Sequence, residues 1–247
     1  MDPAYYVAAG SAKARAFQLD LVSNNLANSA TVGYKPEKSF FSIYNKAKAD
    51  GRDLPLSGYV NDGTMLAQSG MDFSQGALRS TGRGLDLGVE GNGFFMVRTP
   101  QGVQATRDGR FELGKNGEME AMDGAPLLGI NNLPITVNPQ GGKVEVLQDG
   151  SVQQDGNVLG QIGLKAFAQP SALQRVGANR YDATGVPNTP VTGTVSQGAL
   201  EQSSVDLPSC MIDMIRLNRL FEMSMKVAST VTNDMDAKSI SDISTGR

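Results

Sequence analysis

Glu118 and Glu120 lie two apart with Asp123 close behind, and they are the carboxylates best spaced to act as an acid and a base, since alternate residues of a strand share a face. Nothing apolar is placed to raise the pKa of one of them, so they read as ordinary solvated carboxylates. The glycines of "GRGLDLGVEGNGFF" suggest a phosphate cradle, but Gly82, Gly84 and Gly88 follow G-x-G-x-x-x-G and no helical pattern comes after them. A phosphate-binding loop needs that helix N-terminus, so Gly91-Asn92-Gly93 reads instead as a tight turn. Asp62, Asp149 and Asp155 each stand alone before glycine, without the alternating oxygen ligands of a calcium loop. The chain has no histidine, which removes the commonest general base and transition-metal ligand together. Its one cysteine, Cys210, sits inside a helical pattern and reads as a small buried apolar residue. No catalytic residue, cofactor or metal is expected.

The elements that carry these residues are legible from composition and spacing. Among 247 residues, Gly 29, Pro 11 and no Trp indicate a turn-rich, largely β interior and not a compact helical bundle. Lys+Arg 22 against Asp+Glu 25 gives a net charge of -3 with no basic block, so no nucleic acid and no anionic membrane is expected as a partner. The opening "MDPAYYVAAGSAKARAFQLD" lacks the features of a cleaved Sec-type signal, and no segment reaches the roughly 18 to 20 apolar residues that insertion across a membrane requires.

Asp2 and Pro3 mark a helix start. Tyr5, Ala8, Ala12, Ala16, Leu19, Val22 and Leu26 then recur at three- and four-residue spacing, predicting an amphipathic helix to about Asn28 with a thin, alanine-rich stripe. Asn24, Asn25 and Asn28 fall in its last turns, where their amides can satisfy terminal carbonyls or reach an adjoining chain. Gly33 and Tyr34-Lys35-Pro36 end the helix. Residues 37–80 read as a connector with one short helix around 39–49. From about Leu85 to Glu201, six Asn-Gly or Asp-Gly pairs at 92, 108, 116, 123, 149 and 155 signal hairpins, and "GFFMVRT" and "RFELG" alternate apolar and polar residues.

Asp206 and Pro208 open the last element, which meets no further proline or glycine until Gly246. Met211, Met214, Asn218, Phe221, Met225, Ala228, Thr232 and Met235 follow heptad spacing, with Leu217, Leu220, Val227 and Val231 beside them. That apolar arc is wider than one partner helix covers, which points to an assembling subunit; the alternative is that the arc packs on its own β domain. Arg216, Arg219, Glu222 and Lys226 lie opposite, as a solvated face or a rim of intersubunit ion pairs.

The expected fold class is α+β, with long N- and C-terminal helices packing as a coiled-coil-like pair and bracketing an antiparallel β-rich domain. The expected division is 1–36 for the first helix and its exit turn, 37–80 for the connector, 81–202 for the β domain and 203–247 for the last helix. The helix–helix seam is assigned to Leu19, Val22, Met211, Met214, Leu217, Phe221, Met225, Ala228 and Met235.

"SNNLANSATVGYK" resembles the N-terminal signature of the bacterial flagellar basal-body rod and hook proteins, a helix ending in an NNLAN-type motif followed by a T-x-G-[FY]-[KR] exit. The "GNGFFMV" and "TRDGRFELGKNGEME" hairpins and the closing "FEMSMKVASTV" are similar to the same family. Within it, "MDPAYYVAAGSA" and "RLFEMSMKV" look more like the proximal rod branch than the distal one. The resemblance implies a structural subunit of the axial drive shaft, located in the basal body and spanning the periplasm. It also implies delivery by the flagellar type III export apparatus without a cleaved signal, and helical polymerisation around an export channel. Its implied partners are other flagellar rod proteins, copies of itself and the distal rod protein as neighbour. It places the motif on Asn24, Asn25, Leu26, Ala27, Asn28, Thr31, Gly33, Tyr34 and Lys35, with the asparagine amides as lateral hydrogen-bonding groups. A distal rod or hook subunit is the nearest alternative, and an enzyme acting on peptidoglycan a more remote one.

Overall fold

The computed structural model describes residues 3–43, 65–177 and 179–244. The chain forms two compact units, one from Met1–Ala27, Glu37–Gly70 and Asp206–Arg247, the other from Asn28–Pro36 and Met71–Val205. The turn after the first helix, expected to belong with that helix, is thus part of the β unit.

In the first unit, α1 (Pro3–Ala27) is alanine-rich with proline at its first position. Ala8, Ala12 and Ala14 are buried, and Leu19 and Val22 are half-buried. The second helix, α2 (Leu207–Ser244), follows Asp206, whose carboxylate accepts a hydrogen bond from the Ser209 hydroxyl. Its 38 residues span roughly 57 Å at 1.5 Å per residue. α1 packs along α2. Strands β1 (Glu37–Ile43) and β2 (Met65–Met71) pair in a two-stranded sheet. The helix expected at 39–49 is therefore corrected to strand over 39–43, where the β-favouring "SFFSI" overrides a loose helical pattern; residues 44–49 lie outside the described residues.

The buried stripe of α2 includes Met214, Leu217, Phe221 and Ala228 of the expected seam but not Met211 or Met225. Leu217 and Ala228 are buried, and Cys210, Met214, Phe221, Ser224 and Val231 are half-buried, a run at alternating four- and three-residue spacing. Met211 and Met225 stand outside it at 53% and 50% exposure. At those two turns the stripe passes instead through the neighbouring small residues Cys210 and Ser224. The side chain of Met235 lies outside the described residues.

The second unit begins, after the exit turn, with β3 (Leu78–Ser80), β4 (Leu87–Glu90), β5 (Phe94–Thr99), β6 (Gly102–Thr106), β7 (Phe111–Leu113) and β8 (Met119–Ala121). It continues with β9 (Val144–Val146), β10 (Ser151–Gln154), β11 (Asn157–Gln161) and β12 (Leu164–Phe167). The last strands are β13 (Gln174–Gly177), β14 (Arg180–Asp182), β15 (Asn188–Thr189), β16 (Thr194–Gln197) and β17 (Ala199–Glu201). The largest sheet runs β13-β14-β6-β5-β12-β15, and β11-β10-β9 forms a smaller one. The pairs β16-β4, β17-β3 and β7-β8 complete the unit, each antiparallel.

β5 is covered on both faces. Phe95 and Val97 enter a core with Leu87, Phe111, Leu127 and Val152, while Phe94 and Met96 enter another with Ala105, Leu128, Phe167 and Tyr181. Of the predicted hairpins, Asn116-Gly117 joins β7 to β8, Asp149-Gly150 joins β9 to β10, and Asp155-Gly156 joins β10 to β11. Asn92-Gly93 and Asp108-Gly109 are corners instead, since β4 does not pair with β5, nor β6 with β7. At the second corner a Cβ on Gly109 would stand 1.6 Å from the Leu87 carbonyl oxygen, so glycine serves close packing there.

Candidate functional site

Two places concentrate the residues singled out by the sequence. The first is the motif after α1. Asn25 is buried, and its amide clasps the backbone of Glu37: Nδ2 donates to the Glu37 carbonyl at 2.8 Å and Oδ1 accepts the Glu37 N–H at 3.0 Å. Asn24 is exposed, with Nδ2 donating to the Asp20 carbonyl at 3.0 Å, and Leu26 is half-buried. Asn28 opens the turn, its carbonyl accepting the Thr31 N–H at 3.1 Å and its Oδ1 accepting the Thr31 hydroxyl at 3.1 Å. Of the two roles expected of these amides, these bonds serve the one within the chain, because the chain turns sharply here and its backbone groups need partners.

Gly33 is the pivot of the turn. Its φ is +66°, and an added Cβ would stand 2.5 Å from the backbone of Arg107. Its N–H donates to the Glu201 carbonyl at 2.8 Å. Tyr34 is buried beneath the Arg175 guanidinium, 4.6 Å from the ring centroid. Lys35 is fully buried: Nζ donates to Glu201 Oε1 at 2.6 Å and to the Ser74 carbonyl at 2.7 Å. Glu201 also accepts the Gly76 N–H at 2.8 Å and Arg107 Nη1 at 3.1 Å. Arg107 in turn donates through Nη2 to the Gly91 carbonyl at 2.6 Å and lies 4.7 Å from the Phe94 ring centroid. Burial pushes Lys35 below the ordinary lysine value, against the opposing pull of Glu201. Tyr181, 0% exposed, is pushed up to about 12, chiefly by its burial.

Sequence reasoning missed the Lys35–Glu201–Arg107 cluster, because its members stand 166 and 94 positions from Glu201 and nothing local links them. The sequence signal available was the lysine itself, a charged residue closing an otherwise turn-forming motif.

Beside the turn lies a cleft of about 350 Å³, bordered by Asn28, Thr31, Tyr34, Arg110, Arg175 and Arg180. Arg110 holds Asp108 through two bonds of 2.9 and 2.6 Å, and Arg180 holds Asp123. Asp123 is therefore engaged by a cation, while Glu120 faces Glu112 across β7–β8 and Glu118 bridges to Thr136. Arg175 donates to the Lys35 carbonyl, so the cleft's charged side chains are held by bonds within the chain.

The second place is the outer surface of α2. Leu207, Met211, Ile212, Ile215, Met223, Met225 and Val227 are each at least 45% exposed. Ile212, Ile215 and Leu220 border a shallow groove flanked by Arg216 and Arg219. Among the described residues no helix is long and apolar enough to cross a membrane.

Three family models match the chain. "Flagella basal body rod protein" covers residues 6–35, "Flagellar hook protein FlgE/F/G D1 domain" residues 88–158, and "Flagellar basal body rod FlgEFG protein C-terminal" residues 196–241. Full-length relatives agree. The chain is 30% identical to the flagellar basal-body rod protein FlgG of Buchnera aphidicola, over 93% of this chain and 96% of that protein. It is 30% identical to FlgF of Mesorhizobium japonicum over 96% of each, and 33% identical to FlgF of Caulobacter vibrioides over 92% of each.

Proposed function

The chain belongs to the flagellar basal-body rod protein family and is a structural subunit of that rod; from this we propose that it builds the proximal segment of the shaft. The resemblance of its opening and closing stretches to the proximal branch supports that position, and relatives of both branches match at similar identity. On this reading it polymerises helically with copies of itself and other axial proteins, with the distal rod protein as neighbour. The flagellar type III export apparatus delivers each chain, and the shaft spans the periplasm around the export channel. Torque transmission is mechanical and calls for no chemistry by the protein.

The observation that carries the assembly reading is the uncovered apolar surface of α2. α1 covers one stripe, and both flanks retain large side chains such as Ile212 at 66% and Met223 at 61% exposure. Exposed apolar area of that extent on one helix marks an association surface. Subunits repeating by rotation plus rise make heterologous contacts, which generate a tube and not a closed ring. Met211, Met225 and the exposed Asn24 are then contacts between subunits, and α1 with α2 acts as a coiled-coil-like pair within the tube wall.

A photo-crosslinking residue at Met225, introduced into cells that assemble basal bodies, tests this. Adducts between this chain and rod proteins of the proximal segment are the expected result. Adducts confined to the chain itself would overturn the assembly reading, and adducts solely with distal rod and hook proteins would move the subunit along the shaft.

A further inference from the structure

We propose that Lys35, Arg107 and Glu201 form a buried latch that holds the turn after α1 and the end of β17 in one fixed register, and that specifying this register is its role. Lys35 follows the end of α1 by eight positions and Glu201 precedes the start of α2 by six, so the pair links two of the chain's four crossings between the units. The crossings also share backbone bonds, from the Gly33 N–H to the Glu201 carbonyl at 2.8 Å and from the Ser204 N–H to the Tyr34 carbonyl at 3.3 Å.

Three features separate a latch from a general stabilising contact. First, the side chains of Lys35 and Glu201 are 0% exposed and that of Arg107 is 4% exposed, yet two cations face one carboxylate. Such buried ionic clusters are commonly replaced by apolar residues of similar volume with no loss of stability, so stability alone does not call for one. Second, the geometry is directional. Glu201 Oε1 receives Lys35 and the Gly76 N–H while Oε2 receives Arg107, so a slip of one residue in the Glu201 segment would withdraw the carboxylate from all three donors, and one in the Lys35 segment would withdraw Nζ. Third, the backbone is pressed tightly around it. A Cβ at Gly76 would stand 2.0 Å from the Gln202 carbonyl oxygen, and one at Gly33 2.5 Å from Arg107, so the crossings have no room to shift while the latch is closed.

The test is a distance measurement on the full chain. Spin labels are placed on cysteines at the exposed Ala30 and Gln202, one on each crossing, in a Cys210→Ser background. The reference chain should give one narrow distance. Lys35→Met/Arg107→Met/Glu201→Leu, which removes every charge at similar volume, should keep the near-ultraviolet circular dichroism and thermal midpoint of the reference while losing the single distance for a broad distribution. A narrow, unshifted distance in that variant overturns the proposal, because the apolar trio then sets the register as well. Loss of fold in the triple variant also overturns it, because the cluster would then be a stability element. Lys35→Met alone, which leaves the neutral Arg107–Glu201 pair, should broaden the distribution in a folded chain, and an unchanged width counts against the latch. These readouts on purified protein are independent of where in the rod the subunit sits.

Discussion

Glu201 takes three donors in a place without exposure, and the consequences are asymmetric. Glu201→Gln keeps the shape but leaves Lys35 and Arg107 buried together without an anion, so it should cost about 3–5 kcal/mol, read as a lowered urea midpoint. Gly33→Ala meets both a positive φ and the backbone of Arg107; a loss of roughly 1–3 kcal/mol or more is expected from the same measurement. Tyr181 gives a pH-dependent prediction. Below pH 10 its phenol is protonated in folded and unfolded chains alike, and its contribution is fully present. Between pH 10 and about 12 the unfolded chain ionises while the buried phenol does not, so stability is lost as pH rises through that window. The loss reaches about 2–3 kcal/mol when complete. Its hydroxyl has no hydrogen-bond partner among the described residues, so Tyr181→Phe should be at least as stable at pH 7 and should gain on the parent toward pH 12. A constant gap between the two across pH 9 to 12 would show that the phenol is not shielded. At this scale the motif from Asn24 to Lys35 was legible as a cluster that a helix interior does not favour. What its members touch was not, because Glu37, Arg107 and Glu201 are brought to it by the fold.

Helix α2 shows how an element's period can be read correctly and part of its seam misplaced. Heptad spacing places Met211 and Met225 on the seam beside Met214, Leu217, Phe221 and Ala228, whereas the buried stripe keeps the last four and takes the small Cys210 and Ser224 in place of the two exposed methionines. Ser224 can sit on that face because its hydroxyl bonds back to the Leu220 carbonyl at 2.9 Å. The covered and uncovered positions of the expected seam make opposite predictions. Leu217→Ala should lower the stability of the isolated chain by about 2 kcal/mol or somewhat more, since it empties a covered position. Met225→Ala, at 50% exposure, should leave the monomer within about 0.5 kcal/mol and instead weaken incorporation into basal bodies. Thermal unfolding of purified chains beside quantitation of assembled rods separates the effects, and a destabilised Met225→Ala monomer would mean that this side chain is covered by its own chain. The strands divide similarly. Asp155-Gly156 announces its hairpin because a two-residue turn is a local event, while Asp108-Gly109 is a corner fixed by the passage of Leu87, which lies distant in sequence.

At the scale of the whole molecule, the two chain ends and Glu37–Gly70 gather in one unit and Met71–Val205 with the turn Asn28–Pro36 in another. The boundary itself was not legible: Asn28–Pro36 reads as the tail of a helix but contributes Gly33, Tyr34 and Lys35 to the β unit. That boundary decides what removing α2 should do. Both apolar cores of the β unit draw on residues between Met71 and Glu201, and the Lys35–Glu201–Arg107 cluster closes without any residue beyond 205. A chain ending at Pro208 therefore keeps everything the β unit is built from and loses the helix against which α1 packs. The expected outcome is a near-ultraviolet circular dichroism spectrum and a cooperative β-unit transition close to those of the intact protein, with rod assembly and swimming abolished. If that chain loses its β-unit transition, α2 is a part of the fold and not only of the assembly. Normal swimming would mean that the apolar surface of α2, left wet in the single chain, contributes nothing to the shaft, and the exposed isoleucines and methionines would then need another physical account.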